Sequence, residues 1–180
     1  MKLDDVWKAR ERAAQILAKA GIAVTPREKE TMEIADFGLN DLEHYGIEVL
    51  AYESNERYCA KELVLFPRQI CPEHHHPTID ERNIGKQETF RCRWGIIYLY
   101  VEGKPTPHPK AKIPAGDEAL FTARREIVLR PGDQYTLPPG RLHWFQAGDE
   151  GAVLSEFSSK NLDETDIWRN PRIRRIPTID

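Results

Sequence analysis

The chain of 180 residues has the length of one average domain, and 40 % hydrophobic content is enough to form a buried core. Two large domains are therefore not expected. Basic and acidic residues are nearly balanced, 26 against 29, which gives a net charge of −3. This balance argues against a protein that coats nucleic acid or anionic lipid, because such proteins are usually basic.

Cysteine usage and hydropathy predict a soluble protein of the reducing cytoplasm. The three cysteines, Cys59, Cys71 and Cys92, are odd in number and show no CxxC spacing, so no disulfide framework is expected. The first residues show no basic-then-apolar pattern typical of a signal sequence. The longest apolar runs, such as residues 95–101, are far shorter than the roughly 18 residues that a membrane-spanning helix needs.

Two helices are predicted at the start of the chain. Apolar residues recur at spacings of three and four over residues 3–20, which predicts one amphipathic helix, and Gly21 provides a left-handed stop. Residues 25–28 combine a capping threonine, a proline at the first helical position and a glutamate three residues after the cap. A second, short helix is therefore expected to run to about Ala35.

Beyond Gly38, short apolar and β-branched runs alternate with turn residues, which is typical of strands. Many short strands without long intervening helices favour an antiparallel sandwich or a small barrel. The predicted strands are residues 47–53, 58–66, 68–74, 87–101, 125–130, 133–137, 143–147 and 151–158.

Two segments lack a strand pattern. The proline-rich stretch between Gly103 and Gly116 predicts an exposed loop or a wide connection. Residues 161–180 are polar, proline-broken and basic, and we expect them to lie over the outside of the barrel or against a partner rather than to form a strand.

Three histidines and one glutamate are the candidate metal ligands. In a strand, residues two apart point to the same face, so His74 and His76 are expected to point inward together. Glu88 begins a later strand, and His143 begins another. Three imidazoles and one carboxylate suit a divalent first-row ion such as Mn²⁺, Fe²⁺ or Zn²⁺.

The pattern of these residues resembles that of the cupin superfamily, whose members are jelly-roll barrels that hold a metal with three histidines and one glutamate. Gly132, Pro138, Gly140 and His143 match the second cupin motif position for position, except that its usual asparagine is Ala147 here. The resemblance implies a mainly β fold, a cupin-type antiparallel jelly-roll barrel with an N-terminal α-helical arm. As one domain, it comprises an arm over residues 1–37, a barrel over about 45–160 and a C-terminal segment over 161–180.

The first cupin motif leaves a choice of carboxylate. Its ordinary spacing after His76 would select Asp80 or Glu81, but only Glu88 is followed at the required interval by a glycine, Gly95. Glu88 is therefore taken as the ligand, with an insertion before it, and Glu81 is the alternative.

A narrower resemblance covers most of the chain. EHHHP, followed by GKQETFRCRWGIIYLYVEG, is similar to the D-lyxose isomerase family of cupins. The resemblance implies a cytoplasmic, dimeric, Mn²⁺-dependent enzyme that interconverts D-lyxose and D-xylulose and often accepts D-mannose. D-mannose/D-fructose and L-ribose/L-ribulose are further candidate pairs, and Co²⁺, Fe²⁺ or Zn²⁺ are alternative ions.

Moving a hydrogen between C1 and C2 of a sugar needs a Lewis acid for O1 and O2, and proton transfer also needs a base. Four protein ligands leave two positions of an octahedral ion open for these two oxygens. Glu156 is the first candidate base. Lys86 is a candidate donor to the substrate, and Asp166 is a hydroxyl-binding or opposing acid group.

The fold alone does not select the reaction. An Fe²⁺-dependent oxygenase and a non-catalytic sugar-binding cupin are the alternatives, and a hydride shift without a base is the alternative to proton transfer. A phosphosugar isomerase would need several cations around the phosphate, whereas the sequence offers only Lys86 clearly.

Overall fold

The computed structural model describes residues 1–176 and 178–179. Within these residues, two helices precede a curved antiparallel sheet of nine strands. The elements are α1 (Leu3–Lys19), α2 (Pro26–Thr31), β1 (Glu33–Ala35), β2 (Ile47–Ser54), β3 (Cys59–Leu65), β4 (Ile70–His75), β5 (Glu88–Val101), β6 (Arg125–Leu129), β7 (Gln134–Leu137), β8 (His143–Ser158) and β9 (Ile167–Trp168), with short 3₁₀ turns at Glu118–Leu120 and Asp163–Thr165.

Two long strands, β5 and β8, form the centre of the sheet. They pair with each other along most of their length, from Glu88 opposite Ser158 to Val101 opposite His143. The other edge of β8 pairs with β3 near its end and with β4 near its start, while the other edge of β5 pairs with β6 and β7. This curled, mainly antiparallel sheet is the predicted cupin-type barrel.

The prediction of two separate strands over 143–147 and 151–158 is wrong, because β8 runs through the intervening residues without reversing. The strand bends instead. Gly151 has a φ of 89° and Gly95 a φ of 73°, and the β5–β8 register shifts on either side of Gly95. The pair of bulges curves both strands together, which closes the sheet without a turn.

The helical arm follows the prediction at its start and departs from it at its end. Thr25 caps α2 with the predicted capping box, and Gly21 has the expected left-handed conformation. The expected continuation to about Ala35 is wrong. Met32 has a ψ of 126°, and residues 33–35 form β1, because they pair with the edge of β2.

The core has an inner and an outer apolar layer. The inner cluster fills the barrel and includes Leu63, Phe90 and Phe145. The outer cluster joins α1 to the outside of the sheet through Leu17, Val64 and Val153. Residues 104–115 form no helix or strand, as expected of the proline-rich loop.

The C-terminal segment contributes more than the sequence predicts. The expectation that it forms no strand is wrong, because β9 pairs with β4 and extends the sheet. Two residues of this segment, Pro177 and Asp180, lie outside the described residues. In the part of the chain that the structure describes, no helix is long and apolar enough to span a membrane.

Candidate active site

Three histidines meet at one end of the barrel. His143 is the first residue of β8 and pairs with His74 of β4, and His76 directly follows β4. All three are buried, and one ring nitrogen from each lies within 4.8 Å of the others. His74 and His76 both line the cavity, as their spacing predicts. Among the described residues, this cluster can hold a metal ion.

Hydrogen bonds at Nδ1 orient these rings. The Nδ1–H of His74 donates to the Pro72 carbonyl at 2.8 Å, and that of His143 donates to the Arg141 carbonyl at 2.9 Å. Each ring therefore leaves the lone pair of Nε2 free for the cluster, as in metal sites whose ligands are oriented by a hydrogen bond at the other nitrogen. Burial, with the neighbouring imidazoles, holds the pKa of His74 well below its ordinary value, which keeps this ring neutral.

Glu88 reaches the same point from β5. Its Oε1 lies 3.0 Å from Nε2 of His143 and 3.2 Å from Nε2 of His76. The contact with His143 lacks hydrogen-bond geometry, so this buried nitrogen has no hydrogen-bond partner in the part of the chain that the structure describes. Such a group is rare in a folded protein and is satisfied when a cation takes its lone pair. Three imidazoles and one carboxylate thus fit a divalent first-row ion.

The alternative carboxylates lie elsewhere. Asp80 and Glu81 are exposed in the loop between β4 and β5, whereas Glu88 is 2 % exposed. Glu88 also pairs with a cation, because Nζ of Lys86 lies 2.9 Å from its Oε2. Burial raises the pKa of Glu88, but the charge of Lys86 and those of the neighbouring imidazoles outweigh burial and hold it well below its ordinary value.

Lys86 connects two of the predicted site residues. Its Nζ also lies 2.6 Å from Oε1 of Glu156, and both side chains are buried. Burial lowers the pKa of Lys86, but the charges of Glu156 and Glu88 outweigh burial and raise it well above its ordinary value. Lys86 is therefore a charged donor between the two carboxylates.

Asp166 contacts the histidine cluster from the C-terminal segment. Its Oδ1 lies 2.5 Å from Nδ1 of His76. Burial lowers the pKa of His76, but the charge of Glu88 and the hydrogen bond with Asp166 outweigh burial and raise it to about 9. Trp168 stacks on His74 with ring centroids 4.5 Å apart. The segment expected to lie outside the barrel thus forms one wall of the site.

A small cavity of about 40 Å³ lies beside the cluster. Among the described residues, seven acidic or basic side chains line it in addition to two of the histidines; they are Lys61, Lys86, Glu88, Glu156, Asp163, Asp166 and Arg175. Apolar side chains such as Phe90 and Phe145 complete the wall. A lining with this many polar groups suits a small molecule that carries many hydroxyl groups.

The sequence analysis missed three of these groups. Lys61, Asp163 and Arg175 also line the cavity, so the expectation that Lys86 is the only clear inward cation is wrong. Lys61 lies in a mostly apolar strand, and a lysine in such a strand is a signal that could have indicated a buried, paired cation. Asp163 and Arg175 lie in the irregular C-terminal segment, where no periodicity indicates direction.

Comparisons with known proteins find relatives that match nearly the whole chain. The model of the D-lyxose isomerase family matches residues 7–180. The chain is 62 % identical over 174 residues to a D-lyxose ketol-isomerase of Thermofilum sp., covering 97 % of this chain and 96 % of the relative. It is 56 % identical over 180 residues to a D-lyxose/D-mannose isomerase of Thermosediminibacter oceani, covering 100 % and 99 % of the two chains.

Solved structures share the fold at lower identity. The ligand-free L-ribose isomerase of Cellulomonas parahominis superposes with a TM-score of 0.82 at 16 % identity, over 100 % of this chain and 98 % of that one. The L-ribose isomerase of Acinetobacter sp. DL28 gives 0.82 at 15 % identity, with the same coverage. The family match and the nearly full-length identity show that this chain belongs to the D-lyxose isomerase family.

Proposed function

We propose that this protein is a metal-dependent aldose–ketose isomerase that interconverts D-lyxose and D-xylulose, with D-mannose as a second substrate. The observation that carries the proposal is the meeting, in one buried cavity, of the histidine cluster with Glu88 and of Glu156 one lysine away. The names of two relatives, a D-lyxose ketol-isomerase and a D-lyxose/D-mannose isomerase, support the choice of sugars.

The ligands of the metal would be His74, His76, His143 and Glu88. The hydrogen bonds at Nδ1 of His74 and His143, and the unpartnered Nε2 of His143, support this assignment. A bound divalent ion supplies a Lewis acid that polarises the carbonyl and neighbouring hydroxyl oxygens of the sugar.

Glu156 would move the proton. Its carboxylate would take the proton from C2 of the aldose and return it to C1, while the hydroxyl proton passes from O2 to O1, so that the carbonyl moves from C1 to C2. Lys86 would donate a hydrogen bond to the sugar oxygen on which negative charge develops, and its charge would stabilise the transition state. The 2.6 Å contact between Lys86 and Glu156 supports a shared role.

Asp166 would act mainly through His76. Its 2.5 Å contact with Nδ1 holds the ring of His76 in one orientation, with Nε2 towards the cluster. Trp168, stacked on His74, would exclude water from the same side of the site.

An anaerobic assay tests the function. We expect the Mn²⁺-loaded protein to form ketose from D-lyxose and, more slowly, from D-mannose, and to lose this activity after stripping with EDTA. L-ribose and D-xylose are included to rank the substrates. His143→Ala serves as the matched variant, expected to lose both bound metal and turnover, because three remaining ligands hold the ion less tightly.

Two results would refute parts of this proposal. Full metal content and activity in His143→Ala would refute the ligand assignment. An intact, metal-loaded protein that turns over none of these sugars would refute the isomerase function, and consumption of O₂ with Fe²⁺ would then indicate an oxygenase.

The finer features of the proposal are Mn²⁺ as the metal, a homodimer and a cytoplasmic location. They rest on the resemblance to the family rather than on a contact in the chain. Metal analysis of protein purified without added metal tests the first, and Zn²⁺ as the only activating ion would refute it. Sedimentation equilibrium tests the second, and a monomer at the protein concentration of the assay would refute it.

A further inference from the structure

Lys61 is a buried cation without a role in the proposed chemistry. The residue is 6 % exposed, lies in β3 and lines the cavity. Lysine is almost never buried in this way unless it is paired, because removing an ammonium group from water is unfavourable. The partner is Glu156, whose Oε1 lies 3.4 Å from Nζ of Lys61.

The backbone fixes this pairing. Lys61 and Glu156 are directly opposite each other in the antiparallel pairing of β3 with β8, so their side chains leave the same face of the sheet side by side. Lys86 reaches the same oxygen of Glu156 from the loop before β5. The Glu156 carboxylate is thus held between two ammonium groups that belong to different elements.

Lys61 lines the same cavity as Asp163 of the C-terminal segment. Burial raises the pKa of Asp163, but the charges of Lys61, Arg175 and Lys86 outweigh burial and hold it below its ordinary value, and Lys61 contributes most of the three. Arg175 pairs with Oδ2 of Asp163 at 2.7 Å and also contacts Glu33 of β1.

Opposite charges therefore alternate along two runs of ion pairs that meet at the cavity. Starting from the histidine cluster, the first run is Glu88, Lys86, Glu156 and Lys61, and the second is Asp163, Arg175 and Glu33. Glu156 has an opposite charge on both sides, and Lys61 and Asp163, at the facing ends of the two runs, line the same cavity.

We propose that Lys61 is a positioning residue that holds the Glu156 carboxylate in its reactive orientation and couples that orientation to the C-terminal segment through Asp163. The role deepens the proposed function and rests on Glu156 as the group that moves the proton. Lys61 acts through Glu156 and does not bind the sugar itself. It therefore affects the chemical step more than substrate binding.

Kinetics of Lys61→Met test this role, since methionine keeps the length of the side chain and removes its charge. We expect kcat for D-lyxose to fall by about tenfold or more while KM stays within about twofold, which is the signature of an interaction made in the transition state. Lys61→Arg should recover most of the loss. Glu62→Gln is the matched control, because Glu62 is buried in the same strand and contacts Ser155 instead of Glu156.

A double-mutant cycle tests the coupling. Asp163→Asn should lower kcat by about threefold in the wild type and cause no further loss in Lys61→Met, because the effect passes through Lys61. Crystals of metal-loaded Lys61→Met should show the Glu156 carboxylate displaced from its wild-type position, with the histidine cluster unchanged. Metal content should be the same in all variants.

Other outcomes overturn the inference. A rise in KM with unchanged kcat would show that Lys61 binds the sugar, and additive losses in the cycle would show that Asp163 acts independently. An unmoved Glu156 in the variant crystals would also refute positioning. If the wild type were not an isomerase, the proposed function would fail, but the crystallographic comparison would still decide whether Lys61 positions Glu156.

Discussion

At the scale of single residues, the site depends on the different surroundings of its buried carboxylates. Glu88 lies beside two imidazoles and Lys86, whereas the ion pairs of Glu156 within the described residues are with two ammonium groups only. A carboxylate among metal-binding nitrogens has its oxygens engaged, while one paired only with lysines can exchange a proton with substrate. The difference in partners separates the proposed ligand from the proposed base.

Glu156→Gln tests that separation. The amide keeps the shape of the side chain but accepts no proton, so we expect kcat to fall by about a hundredfold or more, the typical contribution of a general base. Bound metal, measured by elemental analysis, should not change, because Glu156 does not contact the histidine cluster in the described residues. A normal rate would transfer the role to Asp166 or to a hydride shift.

Glu48 provides a pH-dependent contribution to stability outside the site. Burial raises its pKa to about 8, although Nε2 of Gln69, 3.1 Å away, partly offsets this. Between the ordinary value of 4.5 and about 8, the folded protein holds a proton that the unfolded chain has lost. The contribution of this proton to the free energy of unfolding therefore falls as the pH rises through that window.

Urea unfolding of Glu48→Gln at pH 5 and pH 8 measures this effect. The amide stays neutral, so the stability of the variant relative to the wild type should rise from pH 5 to pH 8, by on the order of 4 kcal/mol if no other group compensates. Glu30→Gln, at an exposed position in α2, should give a constant difference. A constant difference for Glu48→Gln as well would mean that Glu48 is ionised in the fold.

At the scale of elements, the bends of β5 and β8 depend on glycine. A Cβ added to Gly95 would lie 2.1 Å from the carbonyl oxygen of Gly151, and the φ of 73° is unfavourable for any side chain. We expect Gly95→Ala to destabilise the protein by about 2–4 kcal/mol through this clash and strain. Thermal unfolding measures it, with Gly116→Ala as a control where no atom lies within 4 Å of the added Cβ.

The control separates clash from strain, because Gly116 also has a positive φ, of 94°. The loss of stability in Gly116→Ala reports the backbone strain alone, which is about 1 kcal/mol. Equal losses at the two positions would contradict the view that the close approach of β5 to β8 makes Gly95 necessary.

The sequence predicts elements well where local pattern decides them. The helix over residues 3–20, the capping box at Thr25 and most strands follow from periodicity and turn residues. It fails at β1 and β9, because both are short edge strands held by pairing with β2 and β4 rather than by their own pattern. It also fails at β8, where a polar Gly-Asp-Glu-Gly run predicts a turn but the pairing with β5 continues.

The same reasoning explains what the sequence predicts of the site. His74 and His76 follow from strand alternation, and the structure places Lys86, Glu156 and Asp166 in the same cavity as them. Lys61 and Asp163 meet these residues only through long-range packing of β3 and the C-terminal segment. No local spacing encodes such a contact.

At the scale of the whole molecule, the helical arm and the reactive cavity occupy separate layers. Helix α1 buries Val6, Ala9, Ala13, Ile16 and Leu17. It packs on the outer cluster with Phe66 and Val153, whereas the cavity residues lie within the barrel. Loss of the arm should therefore reduce stability more than chemistry.

Deletion of residues 1–20 tests this separation, and Leu17→Ala tests it in a chain that keeps its fold. Leu17 is 0 % exposed, so Leu17→Ala should lower the free energy of unfolding by about 2–5 kcal/mol, because the contacts of the side chain are lost and a cavity remains. We expect the deletion to lower the free energy of unfolding further, because it removes all the contacts of α1. Such a loss is large compared with the net stability of a folded domain, which is only about 5–15 kcal/mol. Chemical unfolding measures both, and kcat is measured on the folded fraction below the melting temperature.

The exposed Gln15 of the same helix provides the control, and Gln15→Ala should change stability by less than about 0.5 kcal/mol. In Leu17→Ala, kcat should match that of the wild type, because none of the ion pairs around Glu156 involves α1. A large fall in kcat at unchanged KM and metal content would instead mean that the outer layer controls the cavity. The route for such control would be β3, whose Val64 packs towards α1 while its Lys61 contacts Glu156.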